Sequence, residues 1–134
     1  MAFKLYSTDD GHVPAWEYHT IASGVKAQVG LGLAMNSNGK LEPSKIPTHI
    51  CMFSNGGSLL SADTVAPVVA VAPDQIWENN FYSDVSAAPV PGTKVDVADN
   101  PLYVDGTKNV NANFEITYVS GRLMSDIVRG RFVK

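Results

Sequence analysis

The feature that most constrains this chain is an alternation of bulky apolar residues with small or polar ones, at a period of two. Residues 29–35 show it most clearly, with Val29, Leu31, Leu33 and Met35 alternating with Gly30, Gly32 and Ala34. Successive side chains of a β-strand point to opposite faces, so this segment predicts a strand with one bulky and one nearly bare face. A bare face allows another backbone or sheet to approach closely. Asn38-Gly39 then predicts a tight turn into a return strand that begins at Lys40-Leu41.

Further alternating segments are separated by glycine, asparagine and proline turn signals. They predict strands over residues 48–53, 65–71, 93–97, 113–119 and 127–133. The 11 glycines and 8 prolines leave few stretches long enough for a helix. At most one or two short helical turns are expected, over 58–63 or 75–79. The sequence therefore predicts an all-β fold, a compact small β-barrel or sandwich.

The chain organisation predicted from this pattern is one domain preceded by an arm. A length of 134 residues suits a single domain, and 45% hydrophobic residues can fill its core. Residues 1–15 do not follow the barrel pattern, because Asp9-Asp10-Gly11 breaks the chain after a short apolar alternation. We therefore predict an extended N-terminal arm over 1–15 and a single β-barrel-like domain over 16–134. An exposed apolar strand is a liability, so the arm is expected to add to a sheet edge of a partner.

Charge and composition exclude several classes of function. A net charge of −3 argues against binding nucleic acid through its phosphates. The longest weakly polar stretch, residues 65–72, is far shorter than the roughly 20 residues of a membrane-spanning helix. No apolar run follows the first residues, so no secretory signal is expected. We expect a soluble protein with neither a nucleic-acid nor a membrane partner. Charged residues are only 17%, and a neutral surface of this kind suits subunit interfaces.

The polar residues near the N-terminus include oxygen and imidazole groups that suit divalent metals: Asp9, Asp10, His12, Glu17 and His19. Their spacing matches no motif of known geometry, and Pro14 and Trp16 lie between the histidines. We interpret them as a solvated loop and arm, and predict no metal or cofactor.

His49 and Cys51 would share one strand face, as a thiolate–imidazole nucleophile pair requires. A third orienting group is missing, and a lone cysteine is commonly a buried small hydrophobe. With a single cysteine the chain cannot form an internal disulfide or a thiolate metal cluster. We predict no catalytic residues and no enzyme activity.

The candidate interface residues are of two kinds, aromatic and cationic. Aromatic residues outside the predicted strand periodicity either anchor an interface or plug the open end of a barrel, and the sequence does not decide between these two roles. These residues are Trp16, Tyr18, Trp77, Phe81 and Tyr82. Arg129 and Arg131 would share a strand face, where they either pair with acidic groups of a partner or guard an edge strand. The arm adds its alternating residues Phe3, Leu5 and Tyr6 to this set.

A series of segments taken in order resembles the head decoration (cement) proteins of tailed bacteriophages. The segments are Gly24-Val25, Gly30-Leu31-Gly32-Leu33-Ala34-Met35, Asn38-Gly39-Lys40-Leu41, Pro47-Thr48-His49-Ile50-Cys51-Met52, Val65-Ala66-Pro67-Val68-Val69-Ala70-Val71, Gly92-Thr93-Lys94-Val95 and Gly130-Arg131-Phe132. The likeness covers residues from about 20 to 134, and the arm is not matched closely.

The resemblance implies a structural virion protein without enzyme activity, which bridges capsomers on the outside of an icosahedral capsid. Its partners would be the major capsid protein and further copies of itself, commonly as a trimer, after synthesis in the bacterial cytoplasm. The bare face at Gly30, Gly32 and Ala34 would permit close packing in such a trimer. Alternatives are a ligand-binding β-barrel for carbohydrate or single-stranded nucleic acid, or another virion component such as a tail-tube or head-completion protein.

Overall fold

A computed structural model describes residues 2–133, and within them the regular structure is entirely β. The strands are β1 (Lys4–Thr8), β2 (Glu17–Ile21), β3 (Gly32–Met35), β4 (Leu41–Pro43), β5 (His49–Cys51), β6 (Thr64–Ala70), β7 (Gln75–Asn80), β8 (Lys94–Val97), β9 (Val104–Asp105), β10 (Phe114–Val119) and β11 (Ile127–Phe132). The predicted all-β class is confirmed. Residues 2–133 include no helix with the length and apolar character needed to cross a membrane.

The strands form a closed barrel and an adjoining open sheet. The barrel order is β2-β4-β3-β5-β6, and the six-stranded sheet order is β1-β7-β11-β10-β8-β9. Among the paired strands, β2 and β4 run parallel and the other pairs antiparallel. The predicted turn at Asn38-Gly39 joins β3 to β4, and the Asn36 amide donates to the Lys40 carbonyl across it at 2.7 Å.

Strands β5 and β6 contribute to both hydrophobic cores, because their successive side chains point to opposite faces. Ile50 and Val69, which are paired in register, face the sheet core. Cys51 and Val68, the next pair, face the barrel core. The sheet core consists of Phe3, Ile50, Val69, Trp77, Phe81, Val85, Val95, Val97, Val104, Phe114, Ile116, Val128 and Phe132. The barrel core consists of Ile21, Val25, Ala27, Leu31, Leu33, Leu41, Cys51, Leu60, Ala66 and Val68.

The N-terminal segment, described from residue 2, belongs to the chain's own fold, which corrects the prediction of an extended arm outside the domain over residues 1–15. Strand β1 pairs antiparallel with β7 at the edge of the sheet. Phe3, just before β1, is 2% exposed and packs against the rings of Phe114 and Phe132 at centroid distances of 5.9 and 5.1 Å. The expected strand addition occurs within the chain itself, because β7 offers a free edge and the aromatic core offers the pocket.

The nearly bare face around Gly30 and Gly32 is also covered by the chain itself. A Cβ atom on Gly30 would lie 2.6 Å from the Phe3 carbonyl oxygen, and one on Gly32 would lie 3.2 Å from the Pro101 carbonyl oxygen. Sequence correctly predicted a close backbone approach at this face. The approaching backbone is not that of a second subunit, so this face no longer supports a trimer contact.

Strand β7 replaces the helical turn expected over 75–79. Gln75, Trp77 and Asn79 point inward, and the two amides are buried with hydrogen-bond partners. Gln75 Oε1 accepts from the Ala72 amide at 2.9 Å and from the Trp77 indole at 3.1 Å, and Asn79 Nδ2 donates to the Leu102 carbonyl at 2.9 Å. Because the buried face of β7 carries two polar residues, this segment lacks the apolar alternation that would have predicted a strand.

Candidate functional site

Three of the candidate interface residues lie in the sheet core and cannot reach a partner. Trp77 lies on the inner face of β7, and Phe81 lies just beyond the end of this strand. Both are almost completely buried. Phe3 fills the same core, with Leu5 partly buried against it. This corrects their assignment to an interface, because they form part of the protein's own packing.

The other candidate aromatics are more than half exposed, but they lie in different surroundings: Tyr6, Trp16, Tyr18 and Tyr82. The Tyr82 ring packs against Tyr103 at a centroid distance of 6.1 Å. Tyr6 lies beneath the Arg129 guanidinium, on the outer face of the sheet. Trp16 lies in the loop just before β2, and Tyr18 lies near the start of β2.

Arg129 is the centre of a row of side chains across four neighbouring strands, β1, β7, β11 and β10. Its guanidinium carbon lies 3.8 Å from the centroid of the Tyr6 ring and 4.8 Å from that of Tyr118. Its Nε donates to Glu78 Oε2 at 2.7 Å. Tyr6 occupies the irregular position between the paired residues Leu5 and Ser7 of β1, which presents its ring to the row.

Arg131 likewise has partners within the chain. It donates to Asp9 Oδ1 at 2.7 Å and to the Pro73 carbonyl at 2.9 Å. The predicted cationic patch of Arg129 and Arg131 is therefore not a pair of free charges, since both guanidinium groups are already bound to carboxylates. Both arginines link the inner strand β11 to the N-terminal segment, Arg129 through the Tyr6 ring and Arg131 through the Asp9 carboxylate.

An open groove of about 450 Å³ runs along the N-terminal residues. We term it the N-terminal groove; its lining is Ala2, Phe3, Lys4, Leu5, Val13, Pro14, Trp16, Val29, Met52 and Val69. Val13, Trp16 and Val29 are each more than half exposed. Among the candidate interface residues, Trp16 and Leu5 line the groove, and Phe3 lies at its base with only 2% of its surface exposed.

A second candidate site, a cluster of Glu17, His19 and His49, lies at one end of the barrel. Residues directly opposite in an antiparallel pair project from the same face. Glu17 pairs with Val68, and His19 with Ala66. The two polar side chains therefore project on the barrel-core side of β2, and exposure falls along that face from Glu17 to the fully buried Ile21.

His49 reaches the same place from β5, which lies on the other side of β6. His19 Nε2 is 2.8 Å and His49 Nε2 is 3.7 Å from Glu17 Oε1, and the imidazole centroids are 5.0 Å apart. The Thr48 hydroxyl lies 2.9 Å from His49 Nδ1. Burial, reinforced by the charge of His19, lowers the pKa of His49. The hydrogen bond with His19 lowers the pKa of Glu17.

The polar residues that sequence analysis grouped near the N-terminus separate into three environments. Asp9 pairs with Arg131, and Asp10 Oδ1 accepts from the His12 amide at 2.9 Å in the loop after β1. Only Glu17 and His19 join His49. That partner was missed because it lies some 30 residues further along the chain, and only the barrel closure brings it near.

The suspected pair of His49 and Cys51 does share a strand face, but it cannot act as a nucleophile. Cys51 is fully buried in the barrel core, where its thiol donates to the Phe53 carbonyl at 3.2 Å. Burial raises the pKa of Cys51, which keeps the thiol protonated. Cys51 is thus a packing residue.

The fold defines this chain as an all-β protein with a closed five-stranded barrel and an adjoining six-stranded sheet. Strands β5 and β6 of the barrel contribute side chains to the hydrophobic cores of both. Comparison with known proteins finds no matching family model, no similar curated protein and no similar solved structure. Because no relative indicates a function, function has to be inferred from two surfaces of the structure, the N-terminal groove and the cluster of Glu17, His19 and His49.

Proposed function

We propose that this chain is a structural virion protein that decorates the outside of a tailed-phage capsid and bridges its capsomers. The ordered resemblance of residues from about 20 to 134 to head decoration proteins supports this proposal. The observation that carries it further is the N-terminal groove, where Val13, Trp16 and Val29 leave apolar side chains in solvent. Exposed apolar surface grouped around a concave site is typical of protein–protein contacts.

The groove is built on fixed elements, which suits a docking surface. One wall follows residues 2–5, held by the pairing of β1 with β7 and by the buried Phe3 ring. Trp16 directly precedes β2, and Val29 directly precedes the close contact at Gly30. A tryptophan anchor on a rigid scaffold loses little conformational freedom when a partner binds. We propose the major capsid protein as the partner of this groove.

The proposed assembled state is a homotrimer, and this part of the proposal comes from the resemblance alone. Trimer contacts would need a surface other than Gly30 and Gly32, which the chain itself covers. Three linked copies would turn weak single contacts into stable attachment to the capsid. Cross-linking or native mass measurement on particles would give the copy number directly, and a bound monomer or dimer would remove the trimer.

The alternative of a ligand-binding barrel is disfavoured by the barrel interior. Each barrel strand contributes at least one fully or almost fully buried side chain to the lumen: Ile21, Leu33, Leu41, Cys51, Ala66 and Val68. A lumen filled in this way is a packed core with no room for a sugar or a base. Virion components such as a tail-tube or head-completion protein differ from the proposal only in location, which the experiment resolves.

The test is co-production of the full chain with the major capsid protein encoded in the same genome, followed by gradient sedimentation. We expect the chain to sediment with assembled capsids at a fixed stoichiometry. Trp16→Asp and Val13→Asp should reduce that association at least tenfold, because a charge in an apolar contact is costly to desolvate. Val110→Asp is the matched control, since Val110 is as exposed as Val13 but lies outside the groove lining.

Two outcomes would overturn the proposal. The chain could remain at the top of the gradient while capsids sediment, or it could sediment with tails in a complete particle. Saturable binding of the free chain to a glycan array or to single-stranded oligonucleotides would favour the ligand-binding alternative. Equal capsid binding by the wild type and both groove variants would locate the docking surface elsewhere and remove the groove from the argument.

A further inference from the structure

We propose that Glu17, His19 and His49 bind one divalent transition-metal ion of the Zn²⁺ class at the end of the barrel. Each residue offers one ligand atom, and these atoms all lie within 4.8 Å of one another. Two imidazole nitrogens and a carboxylate oxygen are ligands that Zn²⁺, Co²⁺ and Ni²⁺ accept. The proposal does not depend on the capsid function.

Two of the three distances between ligand atoms in the cluster are close to those that a bound ion requires. With bonds of about 2.0–2.1 Å in tetrahedral geometry, ligand atoms lie about 3.3 Å apart. The two nitrogen-to-carboxylate distances, 2.8 Å from His19 and 3.7 Å from His49, fall on either side of this value. All ligand atoms lie within 4.8 Å of one another, so binding of one ion requires side-chain rotations that bring the two imidazole nitrogens closer together.

The backbone positions of the three residues are fixed before any ion arrives. Glu17 and His19 lie on β2, His49 lies on β5, and both strands are hydrogen-bonded to β6 in the closed barrel. Buried apolar side chains, Ile21 and Cys51, follow directly on the same strand faces. A site on paired strands over a packed core is more closely preorganised than one on loops.

Thr48 provides an orienting contact for His49. Its Oγ1 lies 2.9 Å from His49 Nδ1, where it accepts a hydrogen bond if Nδ1 carries the proton. That tautomer leaves the lone pair of Nε2 free on the side that faces Glu17. Metal-bound histidines commonly donate their second ring nitrogen to an oxygen in this way, which orients the ring and tunes its basicity.

Three protein ligands leave a fourth position for water or an exchangeable group. Glu17 is exposed and His19 is half-buried, so an ion can enter from solvent at the barrel end. Once bound, the ion would connect β2 to β5 across β6. The three ligands come together only in the folded chain, so the ion would bind the folded state and not the unfolded state. Added metal should therefore raise the melting temperature.

The experiment uses the full chain, stripped with a chelator and then titrated with Zn²⁺ by calorimetry and with Co²⁺ by visible absorption. We expect one ion per chain and a Co²⁺ spectrum of four-coordinate type. His49→Ala, His19→Ala and Glu17→Gln should each weaken binding at least tenfold. Thr48→Val should weaken it about tenfold, as loss of an orienting partner commonly does.

His12→Ala is the matched control, because His12 is the remaining histidine and lies in the loop after β1, apart from the cluster. It should bind Zn²⁺ as the wild type does. Melting curves without metal establish that each variant is folded, and added Zn²⁺ should raise the melting temperature of the wild type and His12→Ala but not of His49→Ala. The proposal is overturned by the absence of saturable binding, or by an equal loss of binding in His12→Ala and His49→Ala. The cluster would then be an ordinary ion pair of His19 and Glu17 beside a second histidine.

Discussion

The carbonyl oxygen of Phe3 lies 2.6 Å from the point where a Cβ atom on Gly30 would stand. The same two residues are joined by a hydrogen bond of 3.2 Å from the Phe3 amide to the Gly30 carbonyl. Gly30 also has a φ of +92°, a conformation that L side chains rarely adopt. A side chain at this position would overlap residues 2 and 3, so the N-terminal segment would have to shift to make room for it.

Gly30→Ala should therefore lower the free energy of unfolding by about 2 kcal/mol or more, from backbone strain and steric overlap together. The matched control is Gly39→Ala, because Gly39 also has a positive φ but has open space around its Cβ position. Strain alone should cost about 1 kcal/mol there. Urea unfolding of both variants measures the difference, and equal losses would show that the contact with Phe3 is unimportant.

Phe3→Ala should lower the free energy of unfolding by about 3–5 kcal/mol, because it leaves a cavity among Phe114 and Phe132. Tyr6→Ala, on the exposed side of the same segment, should cost clearly less. Deletion of residues 1–8 should destabilise the whole protein, since it removes both Phe3 and strand β1. A deletion variant that melts at the temperature of the full chain would restore the prediction of an extended arm that lies outside the folded domain.

Arg129→Met should lower the free energy of unfolding by about 1–2 kcal/mol. It removes a half-buried ion pair with Glu78 and the stacking of the guanidinium on the rings of Tyr6 and Tyr118. Lys108→Met is the control, because the Lys108 ammonium is largely exposed and its acidic partners lie 3.9–4.0 Å away. Chemical denaturation should show almost no change for that control.

Asp63 should make a pH-dependent contribution to stability. Its carboxylate accepts hydrogen bonds from the Lys40 ammonium and from the Ser23 amide, and the contact with Lys40 is the main cause that lowers the pKa of Asp63 below 3.8. A carboxyl group with a lowered folded-state pKa stabilises the protein above its unfolded-state pKa, and that contribution disappears as the pH falls through the folded-state value.

Asp63→Asn should therefore melt at a lower temperature than the wild type at neutral pH, and the two curves should converge as the pH falls below about 4. Asp74→Asn is the control, because the Asp74 carboxylate makes no hydrogen bond or ion pair within residues 2–133. Thermal melts across this pH range provide the measurement. A difference that stays constant down to the lowest pH would rule out a contribution from the ionised carboxylate.

Sequence alternation was enough to predict the class of the fold and many of its strands. The predicted segments over 65–71, 113–119 and 127–133 coincide closely with β6, β10 and β11, because one face of each is apolar. Strands β2 and β7 were missed. The inward face of β7 carries Gln75 and Asn79, which are buried only because backbone partners elsewhere satisfy them.

The candidate sites depend on contacts between distant parts of the chain, and local patterns cannot predict those. The edge of β7 that receives β1 lies about 70 residues further along the chain. His49 meets Glu17 and His19 only because β6 pairs with both β2 and β5. The sequence did supply candidate residue types. It marked Trp16 as either an interface anchor or a plug of the barrel end, and the structure was needed to show that Trp16 is exposed and lines a groove.

The packing of Phe3 against Phe114 and Phe132 joins segments of the chain that are synthesised far apart in time. Phe3 immediately precedes β1, whereas Phe114 and Phe132 lie on β10 and β11, so this core cannot be complete until residue 132 has emerged from the ribosome. Until then the Phe3 ring lacks its contact with Phe132, and closing a loop of this length is slow compared with forming a local hairpin. The sheet core should therefore complete its packing only after every strand from β1 to β11 has been synthesised, because its first contributing ring is followed by its last only some 130 residues later.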